Sequence, residues 1–285
     1  MFNQLKTGLL LGILTGLLLL IGQLVGGFQG LTIGLVLALV MNVGSYWFSD
    51  KIVLMMYKAV PATPQQYPHL HKIVEELCHT AQLPKPKLYI IPTEQANAFA
   101  TGRSPKHAAV ACTEGILKLL TKEELRGVLA HEISHVKNRD ILVTTIAATI
   151  AAVIGYVAFM ARWAALFGGL GGRGGNQEGR GNVLELIVLA IVAPLTATLI
   201  QLAISRSREY LADETGAKTI KNGEHLAKAL EKLHASVKHH PLGFGNAQTS
   251  SLFILNPFSA QGMMALFSTH PPHTERAKRL RSMKF

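Results

Sequence analysis

Two histidines and a glutamate share one pentapeptide, residues 131–135, with the sequence His-Glu-Ile-Ser-His. A helix turns by about 100° per residue, so His131 and His135 would lie on one face and could bind one metal ion. Glu132 would then lie beside the open coordination position, where its carboxylate could activate a water on the metal. This is the chemistry of a hydrolytic zinc site. The alternative is a pair of ordinary histidines on an amphipathic helix.

The residues before the pentapeptide predict that it is helical. Thr121 and Glu124 have the spacing of a capping box, in which each side chain bonds the other residue's backbone amide. Neither glycine nor proline interrupts residues 128–142. Apolar residues recur at helical spacing, at Leu125, Val128, Leu129 and Ile133. We therefore expect a helix that packs through this apolar side while the two histidines face elsewhere.

A third metal ligand is expected elsewhere in the chain, because catalytic zinc generally has three protein ligands and one water. Residues 205–213 read Ser-Arg-Ser-Arg-Glu-Tyr-Leu-Ala-Asp. Glu209 and Asp213 are four residues apart, so on a helix both carboxylates face the same way. One could bind the metal while the other accepts the remaining ring N–H of a ligating histidine. The alternative is an exposed, charged helix end that also carries Arg206 and Arg208.

The motifs, taken in order, resemble those of the HtpX family of membrane-bound zinc metalloproteases, which is related to the CAAX prenyl proteases. The two segments above are followed by His270-Pro271-Pro272 and then by Arg276. Residues 97–100, Asn-Ala-Phe-Ala, resemble the substrate-strand motif of that family. The resemblance extends over nearly the whole chain.

The resemblance implies a peptidase site with one Zn²⁺ ion per chain. The residues it assigns are His131, His135 and Glu209 as zinc ligands, Glu132 as the catalytic base, and Asp213 as the residue that orients a ligand. It also implies that Asn97 binds the substrate backbone, for which an ordinary turn residue is the alternative. The resemblance does not identify the peptide sequence that is cut.

Peptide hydrolysis forms an oxyanion, which needs a hydrogen-bond donor besides the metal. His270 is our candidate donor, because Pro271 and Pro272 would hold it in a rigid turn. A turn histidine without a catalytic role is the alternative. Arg276 is the other candidate donor, or else it pairs with an active-site carboxylate.

The composition predicts a membrane protein. Apolar residues make up 49% of the chain and the mean hydropathy is +0.28. Residues 8–28 and 31–48 carry no charge, and each can cross a hydrocarbon core of about 30 Å. The link around Gln29 and Gly30 is short, so the two spans should form a helical hairpin. A cleaved signal peptide is the alternative for the first span, but its core is too long and no Ala-x-Ala pattern follows.

A second pair of spans is predicted after the zinc motif. No charge lies between Asp140 and Arg162 or within residues 186–205, where Pro194 should kink the helix. The alternative is a buried hairpin of a soluble domain or a re-entrant element. The predicted divisions are an N-terminal transmembrane hairpin (1–50), a first catalytic part (51–140), a second transmembrane hairpin with a glycine-rich loop (141–204) and a second catalytic part (205–285).

The formal net charge of +11 reflects Lys and Arg residues that concentrate on one side of the predicted spans. By the positive-inside rule this side, which carries both catalytic parts, is the cytoplasm. We therefore expect a multi-pass protein of the bacterial inner (cytoplasmic) membrane, in contact with the lipid bilayer. Topology and lipid headgroups account for the basic residues, and no nucleic-acid motif accompanies them, so nucleic acid is not expected as a partner. Cys78 and Cys112 are expected to be buried thiols rather than a disulfide.

The predicted fold is α+β and mainly helical. It comprises a four-helix transmembrane region and a cytoplasmic zincin-like (gluzincin) metalloprotease domain built from two separated chain segments. Residues 64–82 and 224–237 read as amphipathic helices, and residues 87–91 and 107–112 as short strands. Residues 107–112 are the expected edge strand, which would bind an extended substrate through its backbone. Residues 239–268 are expected to cover the cleft.

The sequence thus predicts an integral-membrane zinc endopeptidase that cuts membrane or misfolded proteins on the cytoplasmic side, in membrane protein quality control under stress. Self-cleavage is also expected where an exposed loop of one copy can enter the cleft of another. The alternative is a membrane metal-binding or transport protein without peptidase activity. It is less favoured, because the ligand motifs lie outside the spans whereas transport sites are expected near mid-membrane.

Overall fold

The computed structural model describes residues 2–150, 206–237, 254 and 271–285. Over these residues the chain is mainly helical and contains one small sheet. The helices are α1 (Phe2–Met56), α2 (Pro68–Ala81), α3 (Glu114–Leu119), α4 (Lys122–Lys137), α5 (Ile141–Ile150), α6 (Arg206–Ile220), α7 (Glu224–Val237) and α8 (His273–Ser282). The strands are β1 (Val60–Pro61), β2 (Lys87–Ile91), β3 (Ala98–Gly102) and β4 (Ala108–Thr113).

Helix α1 folds back on itself at Gly27, whose φ of +55° lies in the region that favours glycine. Its two arms run side by side, because a Cβ added at Gly22 would lie only 2.2 Å from the carbonyl oxygen of Gly30. A polar contact also joins the arms: the Asn42 side-chain amide donates to the Thr15 hydroxyl at 2.8 Å. The fold-back lies next to the link that the sequence predicts.

Gly27–Met56 is the one helix among the described residues that is long and apolar enough, by length and composition, to cross a membrane. Leu5–Leu20 and α5 are shorter apolar helices. Large apolar side chains are exposed on the second arm of α1, as expected for contact with lipid: Phe28, Ile33, Val36, Leu39, Val40 and Trp47. Of the predicted second membrane pair the structure describes only α5, and residues 151–204 lie outside the described ranges.

The four strands form one sheet in the order β1-β2-β4-β3. Strands β2 and β4 are parallel, with Leu88 opposite Val110, and β3 runs antiparallel to β4, with Ala100 opposite Val110. The prediction that residues 107–112 form the edge strand is wrong, because β3 pairs with β4 and becomes the edge of the described sheet. The sequence pattern does not reveal β3, because alanine and glycine in its Ala-Phe-Ala-Thr-Gly segment have low β propensity.

The two faces of the sheet pack against different helices. One face joins α2, α4 and α7 in the main hydrophobic core, which also buries the free thiols of Cys78 and Cys112, as predicted. The other face packs against the end of α1 and against α5: Ile91, Phe99, Ala109 and Ala111 contact Val53, Leu54, Tyr57 and Ala148. The sheet therefore lies between the core of the catalytic part and the apolar helices.

Candidate metal centre

Helix α4 carries the pentapeptide and begins with the predicted capping box. The backbone N–H of Glu124 donates to Thr121 Oγ1 at 3.3 Å, and that of Thr121 donates to Glu124 Oε2 at 2.9 Å. The helical prediction is confirmed, and the ring centroids of His131 and His135 lie 4.7 Å apart. His131 and Glu132 are buried, with exposed fractions of 1% and 3%.

Helix α6 packs directly on α4 and brings the second motif to the first. The close approach depends on Gly216, because a Cβ at this position would lie 3.0 Å from the backbone of Ala130 and His131. Asp213 lies about one turn and Glu209 about two turns before Gly216, and both side chains are buried. Residues that are far apart in sequence therefore meet at one site.

The ligand atoms of His131, His135 and Glu209 lie within 4.8 Å of one another. The two Nε2 atoms are 3.1 Å apart, and each is 3.6 Å from a carboxylate oxygen of Glu209. The Glu209 carboxylate approaches His131 with Oε2 and His135 with Oε1. Ligands about 2.1 Å from a tetrahedral ion are about 3.4 Å from one another, so the two Nε2 atoms and this carboxylate have the spacing of ligands around one zinc-sized ion. Two imidazoles and a carboxylate are also a donor set that zinc accepts.

Each of the two histidines is held through Nδ1 by a buried carboxylate. His131 Nδ1 lies 2.9 Å from Asp213 Oδ1, and His135 Nδ1 lies 3.1 Å from Asp140 Oδ2. A carboxylate accepts the Nδ1 proton, so Nε2 is left as the ligand atom of both rings. The sequence indicates this contact for Asp213, but sequence analysis missed Asp140. Its only signal is a carboxylate placed just after the zinc helix, where an uncharged stretch begins.

Arg276 of α8 is fully buried beside the ligand cluster. Its Nε and Nη2 donate to the two carboxylate oxygens of Asp213 at 2.8 and 2.7 Å, and its Nη1 lies 3.5 Å from Glu209 Oε2. Burial opposes its charge, but Asp213, Glu209 and Glu132 outweigh that effect and raise the pKa of Arg276 above its usual range. Pairing with a carboxylate is one of the two roles that the sequence offers for Arg276.

The site shifts the protonation of its own side chains. Burial raises the pKa of Glu132 to about 8, with Glu209 adding to the rise and His135 opposing it. Burial lowers the pKa of His131, against the opposing effect of Asp213. Burial would also lower the pKa of His135, but Asp140 foremost, then Glu209 and Glu132, raise it to about 10. A carboxyl group with a pKa of about 8 can exchange a proton near neutral pH, which is what general acid–base chemistry requires.

The edge strand β3 lies against the site. The backbone N–H of Ala100 lies near the carboxylate of Glu132 and opposes the rise in its pKa. The backbone oxygen of Ala98 accepts a hydrogen bond from the N–H of Ile254 at 3.4 Å, and the Ile254 oxygen accepts one from Arg276 Nη1 at 3.2 Å. Backbone groups of β3 thus lie close to Glu132 and, through Ile254, to Arg276.

Asn97 is fully buried directly before β3. Its backbone N–H donates to Thr113 Oγ1 at 2.8 Å, and its side-chain oxygen accepts from the N–H of Ala98 at 3.0 Å. These contacts fix the start of the edge strand, while a contact of Asn97 with substrate stays a prediction. His270 lies outside the described residues, so its role also stays a prediction.

A helix-borne His-Glu-x-x-His motif with a glutamate from a second helix, beside an edge strand, is typical of one class of protein, the metallopeptidases. Comparison with protein families agrees, because residues 64–284 match Peptidase family M48. The chain belongs to this family and is a metalloprotease. The alternative of a metal transporter without peptidase activity is not favoured.

Individual curated proteases are similar in sequence to this chain over most of their length. The protease HtpX homolog of Syntrophobacter fumaroxidans is 57% identical over 244 residues, which is 86% of each chain. That of Aquifex aeolicus is 55% identical over 242 residues, covering 84% of this chain and 80% of the relative. That of Pyrococcus furiosus is 52% identical over 243 residues, covering 85% and 83%. The resemblance to the HtpX family is therefore confirmed.

A solved structure shares the fold. The crystal structure of S. mikatae Ste24p matches with a TM-score of 0.51 at 20% sequence identity, covering 94% of this chain. The matched part is 62% of the Ste24p chain, so this chain spans less than two thirds of that protein. The likeness supports the mainly helical fold with a small sheet.

Proposed function

We propose that this metalloprotease is a zinc-dependent endopeptidase in which His131, His135 and Glu209 bind one Zn²⁺ ion and Glu132 is the catalytic base. The observation that carries the proposal is the convergence of two Nε2 atoms and a carboxylate at distances of 3.1 to 3.6 Å. Glu132 lies on the same helix, next to the first of these ligands.

The residues around the ligands have separate tasks. When bound, the ion supplies Lewis acidity toward the scissile carbonyl and an activated water. Glu132 would take a proton from the attacking water and return it to the leaving amine, a cycle that suits a carboxyl with a raised pKa. Asp213 and Asp140 hold the rings of His131 and His135 by their Nδ1 atoms, so that both present Nε2.

Strand β3 would hold the substrate. An edge strand binds an extended peptide by backbone hydrogen bonds, which suits a protease acting on many sequences. The backbone N–H of Ala100 lies near Glu132, so a peptide paired alongside β3 would pass the catalytic base. Asn97 would contact the peptide backbone near the start of the strand. His270 is the proposed donor to the oxyanion, and Arg276 supports the carboxylates of Asp213 and Glu209.

The membrane arrangement is part of the proposal. The fold-back of α1 and its exposed apolar arm support an N-terminal transmembrane hairpin at residues 1–50. We propose that residues 141–204 form the second hairpin, and that residues 51–140 and 205–285 form one catalytic domain on the cytoplasmic side of the inner membrane. Substrates would be membrane or unfolded proteins, including exposed loops of other copies of the same chain.

The test compares zinc-loaded protein with a Glu132→Gln variant, using fluorescein-labelled unfolded casein as substrate. We expect Glu132→Gln to bind zinc as tightly as the parent and to lose at least about 1,000-fold in cleavage rate, because it keeps the ligands and removes the base. A Glu123→Gln variant on the exposed first turn of the same helix serves as the control and should cleave like the parent. Equal cleavage by Glu132→Gln and the parent would overturn the mechanism.

A further inference from the structure

The beginning of helix α5 contacts both the proposed metal ligand His135 and the edge strand β3. Asp140 immediately precedes it and contacts His135, and Thr145 contacts the end of β3. We propose that the first two turns of α5 position the metal ligand and the substrate strand together, with Asp140 and Thr145 as positioning residues. The inference rests on the proposed function for the roles of His135 and β3.

The argument for Asp140 is its burial beside His135. Its exposed fraction is 2%, and burying a carboxylate is costly unless it is hydrogen-bonded. Its Oδ2 lies 3.1 Å from His135 Nδ1, and its backbone oxygen accepts the N–H of Thr144 in the first turn of α5. The start of α5 and the orientation of the His135 ring are therefore fixed by the same residue. Partners of this kind usually set metal affinity by about 10- to 100-fold.

The argument for Thr145 is a hydroxyl that joins α5 to the edge strand. Thr145 and Thr101 are both fully buried, and their Oγ1 atoms are 3.1 Å apart. The backbone N–H of Gly102 also donates to Thr145 Oγ1 at 3.3 Å. The last two residues of β3 are thus tied to the second turn of α5 by side-chain contacts.

Packing couples the Asp140 contact with His135 to the Thr145 contact with β3. Asp140 and Thr145 are separated by roughly 7.5 Å along one helix axis, which is rigid over this length. Ala148, one turn further, packs against the back of the sheet. Val143, Ile146 and Ile150 pack against the first arm of α1. A displacement of α5 by the apolar helices around it would therefore change metal geometry and strand position at once.

The first experiment measures zinc affinity by competition with a chelating dye, which needs no turnover. We expect Asp140→Ala to weaken zinc binding by about 10- to 100-fold, and Asp140→Asn by less, because the amide oxygen keeps the hydrogen bond but not the charge. Asp140→Asn also covers the case in which Asp140→Ala fails to fold. Zinc affinity equal to that of the parent in a folded Asp140 variant would overturn the role of Asp140.

The second experiment measures the Kd of labelled casein for the zinc-loaded protein carrying Glu132→Gln, in which substrate binds without cleavage. We expect Thr145→Val to raise this Kd by about three- to tenfold, since two hydrogen bonds to β3 are lost, and to leave zinc affinity unchanged. Thr145→Ser, which keeps the hydroxyl, should restore binding.

Thr149→Val is the matched control, because Thr149 is equally buried on α5 but, among the residues that the structure describes, its hydroxyl bonds only the backbone oxygen of Thr145. It should leave both zinc affinity and the casein Kd unchanged. Equal Kd values for Thr145→Val and Thr149→Val would overturn the role of Thr145. These binding results are separate from the cleavage test, so an inactive parent with the expected zinc shifts would reject the proposed function and keep the role of Asp140.

Discussion

At the scale of single residues, Arg276 is the cation on which the buried carboxylates depend. Its guanidinium makes a bidentate contact with Asp213, and both side chains are removed from water. Removing one partner of such a pair leaves a buried charge unpaired. We therefore expect Arg276→Gln to lower the free energy of unfolding by about 3–5 kcal/mol, measured by urea denaturation in detergent.

Arg281 offers a matched control on the same helix. It pairs with Glu224 and Glu231, but in an exposed position, so Arg281→Gln should cost much less stability than Arg276→Gln. If both variants lost the same stability, burial would not be the reason for the effect of Arg276. Added Asp213→Asn should recover part of the loss in Arg276→Gln, because it removes the unpaired charge.

Also at this scale, the protonation of His135 predicts how metal binding depends on pH. Burial opposes its charge, but Asp140, Glu209 and Glu132 raise its pKa to about 10, so in metal-free protein at neutral pH the ring is protonated. Zinc binds only the neutral imidazole and must displace this proton. Apparent zinc affinity should therefore rise by about tenfold per pH unit below that pKa. Titrations from pH 6 to 9 would check the slope, and a flat profile would contradict it.

At the scale of elements, regular patterns were predictable and contacts made through space were not. Helix α4 follows from its capping box and apolar spacing, and β2 from its alternating residues, because both signals are local. Strand β3 was indicated only by the resemblance of residues 97–100 to the family's substrate-strand motif. The residue pattern missed it, because its alanines are held by burial on both faces rather than by their own propensity. Asp140 was missed because its role depends on where the His135 ring turns, which no spacing reveals.

The fold-back of α1 makes an element-scale prediction about glycine. A Cβ at Gly22 would overlap the carbonyl of Gly30, so Gly22→Val should force the arms apart and lower the free energy of unfolding by about 1–3 kcal/mol. Gly16→Val is the control, because a Cβ at Gly16 meets nothing within 4 Å. Thermal unfolding in detergent, followed by circular dichroism, compares the two. A similar melting temperature for both would mean that the arms do not depend on their close approach.

At the scale of the whole molecule, the metal would connect helices from the two proposed parts of the catalytic domain. His131 and His135 lie on α4 and Glu209 on α6, so a bound ion stabilises their packing. Zinc at 100 times its Kd should add about 2.7 kcal/mol and raise the melting temperature by roughly 5 °C or more.

Two variants on α6 check this coupling. Glu209→Gln should lose most of the zinc-induced rise in melting temperature, because it removes the charged ligand. Glu214→Gln, on the exposed side of the same helix, should keep it. A full rise in Glu209→Gln would show that zinc stabilises the protein from some other site.

The alkylation rates of the two buried thiols, Cys78 and Cys112, would report how often the structure around each of them opens. Burial raises the pKa of Cys78 to about 11, and burial together with Glu132 raises that of Cys112 to about 12, so neither forms much thiolate at neutral pH. An alkylating reagent can then reach them only during opening. Cys112 lies opposite Ala98 of β3, whereas Cys78 lies in α2. Their separate alkylation rates would distinguish departure of the substrate strand from loosening of the core.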